Sequence, residues 1–183
     1  MSDAKKRVVL GVTGSIAAYR AADIASTLTK EGVEVDVVMT EEACRFVTPL
    51  TFAALTHREV TTNLWDEEHV GRPSHIELAD DADLVLVAPA TAHLIAQYRM
   101  GLAPDVLTAI LLATPAPVHL APAMNGKMWQ HPATRENVSI LKQRGVGIIG
   151  PDEGMLACGY TGIGKMWPQD KVAETALDLL AKD

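Results

Sequence analysis

The chain has 183 residues, 48% of them hydrophobic but only 4% aromatic, and a formal net charge of −7. That length suits one domain whose core is filled by Ala, Val and Leu. The acidic balance argues against a nucleic-acid partner, and no apolar run reaches the roughly 18 residues a membrane span needs.

Val8–Val12 reads as a buried strand. A helix follows from Ser15 to Lys30, with Gly32 as its stop. Val33–Thr40 is rich in β-branched residues and predicts a second strand. Helical patches follow at 41–46 and 49–55. The charged segment from Asp66 to Pro73 has the weakest pattern and reads as a surface loop. Leu84–Ala88 is a continuous apolar run, hence a third strand. Helices are expected over Ala92–Met100 and Asp105–Ala113. Val118–Ala121 is the next strand, Thr134–Arg144 a helix closed by Gly145, Val146–Ile149 a fifth strand, and Asp170–Leu180 a last helix. Strands apolar on both faces and separated by helices predict a doubly wound parallel α/β sheet, a Rossmann-like or flavodoxin-like three-layer sandwich. No linker or repeat divides the chain, so a single domain is expected over residues 1–183, with its core at about 7–180. The N-terminus lacks the apolar segment and cleavage site of a signal peptide, which predicts a cytoplasmic protein.

In such a fold ligands bind at the carboxyl ends of the strands, and the notable motifs fall there. Gly11-Val-Thr13-Gly14-Ser15 ends the first strand. Its N–H groups and the Thr13 and Ser15 hydroxyls suit a phosphate; the same residues also suit a tight turn with Ser15 as a helix cap. The second strand ends in Thr40; Glu41 and Glu42 are near but read as first-turn helix residues and not as the carboxylate a dinucleotide's ribose would call for, which favours FMN over NAD. Phe46 suits either the edge of a flavin ring or core packing. Ala88-Pro89-Ala90-Thr91-Ala92-His93 offers close backbone approach and a hydroxyl. Pro122-Ala123-Met124-Asn125 ends the fourth strand, and Asn125 can serve as an amide and carbonyl partner for a carboxylate ligand or as a cap.

Gly154 to Met166 holds one of the two cysteines, Cys158, among four glycines, which reads as a mobile flap carrying a thiol. Cys44 and Cys158 form no CxxC pair and are expected as reduced thiols. The six histidines show no HxxH or HExxH spacing, so no metal site is expected. His75, in Ser74-His-Ile-Glu-Leu78, suits either catalysis or a structural role, with Glu77 alternating beside it on a strand or turn.

Taken in order, Gly11-Val-Thr-Gly-Ser-Ile16-Ala-Ala18, His75-Ile-Glu-Leu78, Ala88-Pro-Ala-Thr91, Pro122-Ala-Met-Asn125 and Ala157-Cys-Gly159 with Gly162 to Met166 carry a resemblance. The chain resembles the homo-oligomeric flavin-containing cysteine decarboxylases from about Arg7 to Leu180, and within them the branch that acts on phosphopantothenoylcysteine. The resemblance implies FMN as cofactor, held by Thr13, Gly14, Ser15, Ile16, Thr40, Phe46, Ala90, Thr91, Ala92, His93 and Ala123. It implies His75 and Cys158 as catalytic residues, with Cys158 as the acid that protonates the enethiolate left by CO2 loss. Asn125 would hold the substrate carboxylate, with Met124, Ala157 and Gly159 beside the substrate. It also implies decarboxylation of 4′-phospho-N-pantothenoylcysteine to 4′-phosphopantetheine in coenzyme A synthesis. Subunits would assemble as a trimer or dodecamer, with a phosphopantothenate-cysteine ligase fused or separate. One departure is His93, where many relatives carry Asn. Rival readings are a peptidyl-cysteine decarboxylase of peptide maturation, a flavin prenyltransferase, and a non-catalytic flavin-binding regulator of a phosphatase.

Overall fold

The computed structural model describes residues 5–65, 74–155 and 159–182. One sheet contains β1 (Arg7–Val12), β2 (Glu34–Met39), β3 (Val60–Thr61), β4 (Leu84–Ala90), β5 (Val118–Pro122) and β6 (Gly147–Ile148). Every pairing is parallel and the spatial order is β3-β2-β1-β4-β5-β6. Two-residue alternation sends the strand side chains to two separate cores. Val8, Leu10 and Val12 of β1, with Leu84, Leu86 and Ala88 of β4, face α1 (Ala18–Lys30), α3 (Pro49–Thr56) and α9 (Gln169–Leu180). Val9, Val85 and Val87 face α4 (Ser74–Asp81), α5 (Ala92–Met100), α6 (Val106–Ala113) and α8 (Pro132–Gln143). This is the expected three-layer sandwich. Ile24 and Leu28 of α1 and Val172 and Ala176 of α9 are fully buried, at the i, i+4 spacing of one helix face.

Short helices α2 (Glu41–Cys44) and α7 (Gly126–Gln130) follow the ends of β2 and β5. The predicted glycine-rich flap is an antiparallel hairpin, β7 (Asp152–Met155) with β8 (Thr161–Lys165). Helix α1 starts at Ala18 and not at Ser15. The Ser15 N–H donates to the Thr13 carbonyl (2.8 Å) and the Ala17 N–H donates to Ser15 Oγ (3.2 Å), so a turn occupies the expected first helical residues. His75 lies on helix α4, not on a strand or turn, and Glu77 beside it is exposed. The segment read as a surface loop, 66–73, lies outside the described residues.

The end of the sheet away from the ligand side is tied by charge. Asp36 of β2 is largely buried and accepts from Arg7 Nε (2.5 Å) and Arg58 Nε (2.6 Å). Burial alone would lower the Arg7 pKa, but the hydrogen bond and charge of Asp36 outweigh it and the value is raised. Among the described residues no helix is long and apolar enough to cross a membrane.

Candidate functional site

The chain runs β1, β2, β3 outward and then returns to place β4 on the other side of β1. The carboxyl ends of β1 and β4 therefore flank the switch point where such sheets open a crevice. Thr13 spans it. Its hydroxyl donates to the Pro89 carbonyl (2.7 Å) and accepts from the Thr91 N–H (3.1 Å). This hydroxyl, expected as a phosphate partner, spends its proton fastening β1 to β4. Thr13 still lines the crevice, but as a brace.

A cavity of about 710 Å³ opens at this point, inside the range of about 300–1,000 Å³ for small-molecule sites. It brings together Thr13, Gly14, Ser15, Thr40, Thr91, Ala92, His93, Ala123 and Met124 from four strand ends. Thr40 and Thr91 cap the next helices, accepting from the Ala43 N–H and the Leu94 N–H (both 3.3 Å). Each hydroxyl keeps its proton for a ligand. Gly14 is required by close approach, since a Cβ there would overlap Glu42 Cβ. Glu41 and Glu42, expected only as first-turn helix residues, line the cavity, and so do Gln97 and Asp105, which sequence reasoning missed. Asp105 is recognisable afterwards as the cap of α6, accepting from the Thr108 N–H (2.8 Å).

A second cavity of about 400 Å³ shares Ser15, Ala123 and Met124 with the first. Ile16 faces this one, not the first. Asn125 lines it as well and is fixed there. Its Oδ1 accepts from the Lys127 N–H (2.8 Å), as cap of α7, and from the Tyr160 hydroxyl (2.9 Å). These two donors set the orientation of the Asn125 amide. Tyr160 is a functional candidate that the sequence motifs did not single out. The hairpin docks on the same strand end, because the Met124 N–H donates to the Gly164 carbonyl (2.9 Å). Gly164 has φ +134°, and a Cβ there would lie 2.5 Å from the Met124 carbonyl oxygen.

Several expected site residues stand elsewhere. Ala90 is fully buried and lines neither cavity; its carbonyl accepts from the Ala123 N–H (3.1 Å) and sets the strand ends. Phe46 is 51% exposed beyond α2 and lines neither cavity, so it is neither a ring contact nor core within one chain. His75 in the first turn of α4 also lines neither, and its Nδ1 is buried with no hydrogen-bond partner among the described residues. Gly159 has φ +87° and an exposed surface. Ala157 and Cys158 lie outside the described residues. Burial pushes the Cys44 thiol up, which favours its protonated form. Among the described residues no His, Cys, Asp and Glu cluster could hold a metal.

This geometry has known counterparts. The chain is 48% identical over 171 residues to the coenzyme A biosynthesis bifunctional protein CoaBC of Bacillus subtilis (strain 168), covering 93% of this chain and 42% of that protein. The chain thus spans less than half the length of that relative. Among solved structures, a cysteine-to-serine mutant of a PPC decarboxylase complexed with pantothenoylaminoethenethiol superposes with a TM-score of 0.87 at 31% identity, covering 98% of this chain and 100% of the other. The FMN-dependent cysteine decarboxylase SpaF superposes with a TM-score of 0.82 at 32% identity, covering 96% and 98%. Residues 1–181 match the family described as Flavoprotein, and the chain belongs to that family.

Proposed function

We propose that this chain is an FMN-dependent carboxy-lyase that converts 4′-phospho-N-pantothenoylcysteine to 4′-phosphopantetheine in coenzyme A synthesis. The observation that carries the proposal is the pair of adjoining cavities, with Asn125 fixed in the second by Tyr160 and by its own helix.

The first cavity fits a flavin mononucleotide. Its walls join apolar Ala92, Leu94, Ala123 and Met128 to the hydroxyls of Ser15, Thr40 and Thr91 and the carboxylates of Glu41 and Glu42. That pairing suits a flat ring and a polyhydroxyl chain. When bound there, FMN would supply the redox chemistry, as the hydride acceptor and later donor for the cysteinyl side chain. Asn125 orients the substrate carboxylate from the second cavity, next to the shared wall. Cys158 falls between β7 and β8 in chain order and would give the enethiolate its proton. The PPC decarboxylase relative, with cysteine changed to serine, was solved with an enethiol compound, which supports that role by likeness.

His75 completes the site from a neighbouring copy in a trimer or a dodecamer. Its absence from both cavities within one chain supports this placement, as does the exposure of Ile16 (58%) and Tyr19 (55%), which line the second cavity. The length of the bifunctional relatives beyond the matched region leaves room for the ligase partner, fused or separate. The reaction would take place in the cytoplasm, where coenzyme A precursors and reduced thiols are found.

The likeness to SpaF, an FMN-dependent cysteine decarboxylase, leaves one second reading, in which the cysteine ends a peptide. The test offers both substrates to the yellow holoenzyme and measures CO2. Release from the phosphorylated cysteine adduct, and not from the peptide, is expected. The reverse preference would replace the first reading by the second, and colourless protein that FMN cannot reconstitute would refute both.

A further inference from the structure

The second cavity carries two cations that neither the flavin nor Asn125 explains. Arg20 comes from the first turn of α1 and Lys165 from the last residue of β8, so two separate elements aim positive charge into one space. Arg20 stands at the unfavourable end of its helix. The N-terminus already carries the positive pole of the dipole, and the first turn of α1 holds no acidic residue. An anion lying there would be attracted by the dipole and by both side chains at once.

The two cations are also unspent. Arg20 donates through Nε to the Tyr19 hydroxyl (3.1 Å) and sits over that ring, 5.7 Å from its centre. This holds the guanidinium while leaving its two terminal nitrogens without a partner among the described residues. Lys165 has no ion pair there either. In a chain of net charge −7, two unpaired cations in one cavity mark an anion site. A guanidinium fork and an ammonium together match a phosphate dianion.

We propose that Arg20 and Lys165 bind the 4′-phosphate of the substrate, with the cysteinyl end running past Asn125 toward the flavin cavity. The proposal rests on the function argued above. It makes the pair the determinant that separates the phosphorylated adduct from its dephosphorylated form and from a peptide. The other phosphate in the system, that of FMN, is expected at the Gly14-Ser15 turn in the first cavity.

The experiment compares kcat/KM of the holoenzyme for phosphorylated and dephosphorylated pantothenoylcysteine, in the parent and in Arg20→Ala and Lys165→Ala. The ratio between the two substrates should fall roughly 10- to 100-fold in each variant, through KM, as expected for loss of one charged hydrogen-bonding partner. Arg20→Lys should recover most of the ratio, and it keeps the test open should Arg20→Ala fold poorly. The FMN dissociation constant, read by flavin fluorescence, should stay within about twofold of the parent for a subsite that does not touch the flavin. A large loss of FMN affinity with an unchanged substrate ratio would assign the pair to the flavin phosphate and overturn the proposal. An unchanged ratio with unchanged FMN affinity would overturn it too. If the parent turns over neither adduct, the functional reading fails separately. Calorimetry with 4′-phosphopantetheine and pantetheine then decides the subsite. A phosphate preference present in the parent and lost in both alanine variants supports it, and equal affinities throughout refute it.

Discussion

Replacing Gly164 by Ala should detach the hairpin from the site while leaving the sheet intact. The residue has φ +134°, which L side chains rarely adopt, and holding Ala there costs about 1–3 kcal/mol. Its new Cβ would lie 2.5 Å from the Met124 carbonyl oxygen, closer than the 3.0 Å that real Cβ atoms respect, so the strands must separate. Separation breaks the bond from the Met124 N–H to the Gly164 carbonyl, a further loss of about 1 kcal/mol. Together these shift docking by about 2–4 kcal/mol, or roughly 30- to 1,000-fold in its equilibrium. The assay is native-state hydrogen exchange. The Met124 amide should lose protection by about that factor. The neighbouring Ala123 amide, bonded to the Ala90 carbonyl within the sheet end, should keep its protection and serves as the internal control. Decarboxylation should fall at least tenfold with FMN content unchanged. Equal protection of Met124 in parent and variant would refute the claim that Gly164 is there for close approach.

The remaining predictions concern other parts of the molecule. Asp36→Asn should destabilise the fold by about 1–3 kcal/mol in denaturant unfolding, because two partly exposed arginines lose one shared carboxylate; a change under about 0.5 kcal/mol would show the network to be idle. Burial lowers the His119 pKa below its ordinary value, and its Nδ1 lacks a partner among the described residues. The unfolded chain therefore binds this proton first, so stability present above about pH 6.5 is lost as pH falls below it. The melting temperature should drop more steeply between pH 7.5 and 5.5 in the parent than in His119→Gln, and parallel profiles would exclude His119 as the cause. Asn125→Asp should bind substrate more weakly than Asn125→Ala, since it opposes two carboxylates; normal affinity in the Asp variant would remove Asn125 from carboxylate recognition. Cys158→Ser should release CO2 yet yield a product two hydrogens short of phosphopantetheine, read by mass under anaerobic conditions. Full conversion at the parent rate would leave Cys158 without an acid role.

The sheet was legible where burial is two-sided. Val8–Val12 and Leu84–Ala88 lie between two helical layers, so both faces must be apolar and the run is continuous. Elements held by other means left no such trace. β3 is two residues long and half-buried, and α4 buries only Ala79 fully, with Asp80 and Asp81 closing an acidic stretch. β7, Asp152–Met155, is mostly exposed and is fixed by backbone pairing to β8. Gly154 of β7, like Gly162 and Gly164 of β8, therefore reads as a flap residue and stands in a strand. His75 illustrates the same limit in the site: a neighbouring Glu77 suggested alternation, while helix α4 turns the two apart.

Motif residues from four strand ends line one cavity, but their types do not reveal which hydrogen bonds are already spent. Thr13 looks like a phosphate ligand and is a brace between β1 and β4. Ala90 looks like a cofactor contact and instead ties its carbonyl to Ala123. Ala123 is followed by Met124, which pairs with Gly164, and by Asn125, which pairs with Tyr160 across the hairpin. These contacts form one connected series from the switch point to the hairpin. Such a series places the wall shared by the two cavities under control from both ends. A change at Gly164 then acts on Asn125 through Met124 without touching any ligand. Removal of the Tyr160 hydroxyl should act on the same amide directly, raising KM by roughly two- to tenfold, the worth of one neutral hydrogen bond. Unequal effects of that size on KM, with flavin affinity unmoved in both variants, are what separate this wiring from a hairpin that merely covers the site.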